Sequence, residues 1–148
     1  MIQLRMFDGR CLRFDCSRMS TTSEELKQRA KQFGLRILIL LNNLPNTIGR
    51  RAVTNQLVRS ATSVGANYRA ACRARSRAEF ASKIGTVAEE ADESLYWLEV
   101  IDEGKLVPHQ KVASLLKEAD ELTAIFTSAR RSASQPQPST IKNQKSHS

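Results

Sequence analysis

The sequence predicts an all-α protein: an antiparallel, up-down-up-down four-helix bundle. Three observations predict it. Apolar residues recur at three- and four-residue steps in four separate segments. Only four prolines and six glycines occur among 148 residues, and most fall between those segments or near the ends. Aromatic residues make up 5% of the chain against 41% hydrophobic residues, so the core must be built from Leu, Ile, Val and Ala, which suits packed helices. The length fits one domain with one real core.

The first helix is expected to start at Thr22 or Ser23. Thr22 as N-cap puts Glu25 three residues on, which makes a capping box. Leu26, Ala30, Phe33, Ile37, Leu40, Leu41 and Leu44 form its stripe. Gly34 within that run marks a place for close helix packing. Asn42-Asn43-Leu44-Pro45 ends the helix, because proline lacks an N–H and disfavours helix at the residue before it.

The second helix is expected to begin at Thr47, with Val53, Leu57, Ala61, Val64, Tyr68 and Ala71 inward. Ala61, Ser63, Gly65 and Ala66 are small enough for another backbone to approach. Ser76 followed by Glu79 is a second capping box, so a short turn near 74–76 separates the second and third helices. The third helix carries Phe80, Ile84, Val87, Ala91, Leu95, Leu98 and Ile101, with Tyr96 and Trp97 beside the stripe and Gly104 as C-cap. The fourth runs from about His109 to Ala129 on Val112, Leu115, Leu116, Ala119, Leu122, Ile125 and Phe126.

The ends differ from the bundle, which spans residues 21–129. In residues 1–20, apolar and polar residues alternate around Asp8-Gly9, a two-residue turn signal that reads as a hairpin. Met19 also looks like a natural start, so the first 18 residues read equally as upstream sequence. Residues 130–148 are polar and basic, and are expected to be a disordered tail.

Charge is strongly patterned. The net charge is +8. Residues 48–78 hold Arg50, Arg51, Arg59, Arg69, Arg73, Arg75 and Arg77 and no acid. Residues 79–104 hold Glu79, Glu89, Glu90, Asp92, Glu93, Glu99, Asp102 and Glu103 against Lys83 alone. These two blocks cancel, so the excess comes from the flanks. At 100° per residue Arg51, Arg69 and Arg73 fall within ~40° of each other, and Arg59 lies ~40° beyond, opposite the apolar stripe.

Several classes of function are disfavoured. Cys11, Cys16 and Cys72 have unrelated spacing, and His109 and His147 are isolated, so no metal or cofactor is expected. A carboxylate cluster in a helical bundle needs Glu-x-x-His pairs facing the core, and the first three helices hold no histidine. Ser and Cys have no plausible base, so no enzyme activity is expected. No run reaches 18 apolar residues and no signal peptide opens the chain, so a cytoplasmic, reducing setting and no membrane partner are expected.

The run from Gln56 to Arg69 (QLVRSATSVGANYR), followed by Ala71-Cys72-Arg73-Ala74-Arg75-Ser76-Arg77-Ala78-Glu79-Phe80 and by Glu89 to Leu98, resembles the motif of the intervening-sequence proteins of 23S rRNA genes. The resemblance covers about residues 22–127. It implies a small bacterial four-helix bundle inclined to form rings of five. A related branch comprises the accessory proteins of diversity-generating retroelements, which partner a reverse transcriptase and RNA. Where that family often has a glutamate after the Tyr-Arg pair, this chain has Ala70, which leaves Arg69 or Arg73 freer.

Two functional readings are compatible. In the first, Arg51, Arg59, Arg69 and Arg73, extended by Arg75 and Arg77, form a nucleic-acid-binding face, because arginine offers paired donors to phosphate. No aromatic lies on that stripe, so base stacking is not indicated. In the second, the protein is an assembly: Arg-rich helix two meets Glu89, Glu90 and Glu93 of a neighbouring copy, and Tyr96 and Trp97 supply the apolar contact. The same pairing within one bundle is the third possibility for those charges.

Overall fold

The computed structural model of the protein describes residues 20–44 and 47–136. The expected hairpin in residues 1–20 and the tail beyond 136 lie outside the described residues, apart from Ser20. Four α-helices follow one another: α1 (Ser20–Asn42), α2 (Ile48–Ala71), α3 (Arg77–Glu103) and α4 (His109–Ser134). No strand occurs among the described residues.

α2 packs against α3, α3 against α4 and α1 against α2, while α1 meets α4 along a sparser seam. Across the α1–α2 and α3–α4 seams the contacts run in opposite chain directions. Gly34 faces Ala61 and Thr62 on α2, whereas Gly65 faces Ala30 and Lys31 on α1. Arg77 reaches residues 132–135 at one end of α3, and Asp102 meets His109 at the other. Short loops of this kind leave successive helices no option but to fold back.

The core follows the helical periodicity. Phe33 and Ile37 of α1, Leu57 and Val64 of α2, Ile84, Val87, Leu98 and Ile101 of α3, and Val112, Leu122 and Phe126 of α4 are fully buried. Tyr68 and Phe126 meet across the diagonal with ring centroids 5.1 Å apart. A polar pair sits within this core: the Ser60 and Ser94 hydroxyls lie 3.0 Å apart, with the Leu57 and Glu90 carbonyls as further partners. No buried side-chain polar atom lacks a partner among the described residues, as burial requires.

The α1–α2 seam is close because its residues are small. A Cβ on Gly34 would stand 3.3 Å from the Ala61 carbonyl oxygen, and one on Gly65 would stand 3.4 Å from the Lys31 nitrogen. Gly34 and Gly65 therefore serve backbone approach.

Two caps form where expected. Thr47 Oγ1 accepts from the Arg50 N–H at 3.4 Å, and Ser76 Oγ from the Glu79 N–H at 3.1 Å. Three boundaries differ from expectation. α1 already includes Ser20, so Thr22 lies inside the helix and is not its N-cap; Ser and Thr cost a helix only a few tenths of a kcal/mol, so propensity does not enforce a later start. α4 continues past Ala129 to Ser134, because Arg77 holds its last carbonyls. Gly104 is the C-cap of α3 but is right-handed, and the left-handed residue is Lys105, with φ 50°. The Lys105 N–H donates to the Asp102 carbonyl and the Leu106 N–H to the Ile101 carbonyl, each at 3.0 Å, which is the Schellman pattern.

Candidate nucleic-acid interface

The repeat of α2 puts Leu57, Val64, Tyr68 and Ala71 inside, so Arg51, Arg59 and Arg69 stand outside; Arg73, expected on the same helical stripe, lies just past the helix end, and all four are exposed. The helix ends at Ala71. Cys72 N–H donates to the Tyr68 carbonyl at 3.0 Å, and the chain turns through 72–76 before α3. Arg75 lies on that turn and is also exposed.

The six arginines singled out by sequence have different surroundings. Arg59 bridges to α3: its guanidinium lies 3.4 Å from both Glu90 carboxylate oxygens and donates to Glu93. The donor from Arg59 holds the Glu93 carboxyl below the usual carboxylate range, helped by the Trp97 indole N–H at 3.2 Å. The same contact raises the Arg59 guanidinium.

Arg77 is half-buried and turned toward α4. Its Nε donates to the Ala133 carbonyl at 2.9 Å, and Nη2 donates to those of Ser132 (2.7 Å) and Gln135 (2.8 Å). These are carbonyls that a helix end leaves without an intrahelical donor, and the negative end of the helix dipole favours the cation.

Arg75 takes part through its backbone. Its N–H donates to Glu79 Oε2 at 2.8 Å, and this bond is the main cause holding the Glu79 carboxyl low. The capping box thus closes one residue earlier than the usual pattern. Arg69, Arg73 and Arg75 make no side-chain ion pair among the described residues.

The acidic helix is divided in the same way. Glu90 and Glu93 face Arg59 of their own chain, and Glu89 lies 3.5 Å from Arg130 of α4. Gly85 makes room for that arginine, since a Cβ there would touch its side chain at 3.4 Å. Tyr96 and Trp97, named together from sequence, behave differently. Trp97 packs against the core and bonds Glu93. Tyr96 is 54% exposed and meets the Trp97 ring edge-on at 4.9 Å. Leu35 and Ile39, one turn apart on α1, are also exposed, at 41% and 64%.

Sequence reading missed the Arg29 clamp between α1 and α4. Its guanidinium takes Glu118 at 2.6 and 3.0 Å and also donates to Glu121. It also missed Arg131, exposed on the last turn of α4, because the helix was expected to stop before it. No local signal marks Arg29, since its partners Glu118 and Glu121 lie far away in sequence.

No group of three or more His, Cys, Asp or Glu side chains suited to a metal occurs among the described residues. Cys72 is a free, buried thiol whose Sγ lies 3.5 Å from Ser23 Oγ. His109 Nδ1 is 2.9 Å from Asp102 at the opposite end of the bundle. No helix among the described residues is long and apolar enough to cross a membrane.

These features define a small four-helix bundle with an arginine-bearing helix and an acidic helix side by side. Residues 23–128 match the family of 23S rRNA-intervening sequence proteins, and the chain belongs to that family. It is also similar to a solved crystal structure from Bacteroides thetaiotaomicron, a protein with unknown function from the S23 ribosomal protein family. That protein is 30% identical with a TM-score of 0.68, and the match covers 75% of this chain and 99% of the other. No curated protein matches the chain.

Proposed function

We infer that this chain is a non-enzymatic helical-bundle protein that associates with nucleic acid, RNA first, through its basic surface. The observation that carries the reading is the set of exposed arginines whose side chains make no ion pair among the described residues: Arg69 on the last turn of α2, continued by Arg73 and Arg75 on the turn that follows. Guanidinium groups held at a helix end and on the short turn after it, facing water, suit phosphate, and give contacts that are independent of sequence and weakened by salt. Arg59 and Arg77 belong to the bundle's own framework, so the face is smaller than the six arginines together.

A binding titration with generic RNA and DNA over a salt series tests this. Affinity should fall as salt rises. Arg69→Glu together with Arg73→Glu should abolish binding while the far-ultraviolet circular dichroism stays helical. Unchanged binding by that variant overturns the assignment.

A second reading, homo-oligomeric assembly with a ring of five as its form, is favoured by the exposed Tyr96, Leu35 and Ile39. Scattered apolar residues are ordinary, but these add contact area to charged faces that contribute little alone. Asp92, Glu99 and Glu103 are exposed on α3 and suit a basic neighbour. Light scattering should give a multimer, and a clean monomer sinks this reading. If Arg69→Glu with Arg73→Glu dissociates the multimer, those arginines face a neighbouring copy. A reverse transcriptase partner, if this chain is of the retroelement branch, would be sought by co-purification.

A further inference from the structure

We propose that the nucleic-acid face crosses from α2 to α1, with Lys31 of α1 holding the same phosphate chain as Arg69. This rests on the reading above. Three contacts fix the register of the antiparallel α1–α2 pair. Ser23 Oγ meets Cys72 Sγ at 3.5 Å, Ala30 and Lys31 meet Gly65, and Gly34 meets Ala61. Each step up α1 is thus matched by an equal step down α2. The Lys31 backbone nitrogen lies 3.4 Å from where a Cβ on Gly65 would stand. Arg69 is one turn, about 6 Å, further along α2.

Helical geometry puts both side chains on the solvent side of that seam. At 100° per residue, Arg69 is turned ~40° from Gly65, away from buried Tyr68, which lies ~60° to the other side. Lys31 is turned ~60° from Gly34, away from buried Phe33 and Ile37. Both residues are exposed, and Lys31, like Arg69, makes no ion pair among the described residues. α2 carries no acid, and α1 carries Glu24 and Glu25 alone. Glu24 is taken by Lys27 at 2.5 Å, and Glu25 lies ~180° around α1 from Gly34. A phosphate chain crossing the seam therefore meets one cation on each side. The seam is narrow because Gly34, Ala61 and Gly65 are small, so the two cations are held close. Like charges brought together in this way repel, and an anion between them removes that cost.

The test is a salt-series titration of the full chain with single-stranded RNA of generic sequence. One phosphate contact contributes about 0.7 to the log–log salt slope on a single strand. Lys31→Gln should lower the slope by about 0.7 and the affinity at 0.1 M salt by roughly 5-fold by the same relation, while Lys31→Arg keeps both. Lys117→Gln removes one exposed charge from α4, away from the seam, and should move neither quantity measurably. That control separates a contact from a general effect of net charge. Circular dichroism of all three variants should match the parent, since each change is on the surface. If the parent binds and Lys31→Gln titrates like the parent or like Lys117→Gln, the inference is overturned and the phosphate chain follows α2 and its turn alone. If the parent shows no salt-sensitive binding, the reading beneath fails and the inference falls with it.

Discussion

The Arg77 guanidinium donates to the Ala133 carbonyl at 2.9 Å, joining the first residue of α3 to the last turn of α4. With two further carbonyls on the same group, this is the side-chain cap of a helix that has none of its own. Arg77→Ala leaves those carbonyls without their donor. Hydrogen bonds to a charged group contribute ~1.5–3 kcal/mol, less where water can substitute, so a loss of about 1–2 kcal/mol is expected. Urea unfolding would measure it. Faster amide exchange at residues 131–135, with the rest unchanged, would place the effect at the end of α4.

The glycines of α1 and α2 should respond in opposite ways. Gly49 has open space around it, so Gly49→Ala should stabilise by up to ~1 kcal/mol through helix propensity. Gly34 faces the α2 backbone, so Gly34→Leu must push the helices apart, at a cost of about 1–3 kcal/mol or more. Denaturation midpoints of the two variants, compared at equal m-value, check both signs.

Lys105 occupies the left-handed region at the end of α3. For a residue with a Cβ that conformation costs roughly 1–2 kcal/mol, partly offset in glycine by its freedom when unfolded. Lys105→Gly should therefore raise stability by about 0.5–1 kcal/mol, read as a higher melting temperature. A lower one would mean that the Lys105 side chain contributes more than the backbone strain costs.

Glu79 and Glu93 both titrate below the ordinary glutamate value in the folded chain, Glu79 chiefly through the Arg75 N–H and Glu93 chiefly through Arg59. A carboxylate depressed on folding adds stability that is complete above its unfolded value, about 4.3, and is lost as pH falls through the lower folded value. The melting temperature should therefore be nearly flat in this respect above pH 5 and decline below about pH 4. Glu93→Gln should lower it near neutrality and make the acid decline shallower. An equally steep decline in that variant would remove Glu93 from the account.

The helices were legible in the sequence because burial imposes its own period. Phe33, Leu57, Leu98 and Phe126 repeat at helical spacing and lie in the core. Thr47 and Ser76 are local devices, one turn of chain closing on itself, so their positions could be read directly. Gly34 and Gly65 signalled a close seam before any partner was known. The candidate face was legible only in outline. Helical spacing puts Arg51, Arg59 and Arg69 on one side of α2, with Arg73 just past its end, but it cannot say which of them meets an acid.

The sequence by itself determined a bundle of four helices, its core residues, its turns and the presence of one arginine-rich and one acidic helix. Those properties depend on neighbours within a few residues, or on the repeat of one helix. The tertiary structure decided how the arginines divide. Arg59 goes to Glu90 and Glu93, and Arg77 goes to carbonyls of α4 more than fifty residues away. Arg69, Arg73 and Arg75 are left to solvent. It also carried α4 on to Ser134, past the point where its apolar stripe ends. A charge is satisfied by whatever lies within a few ångströms, and that distance exists only after the helices have packed.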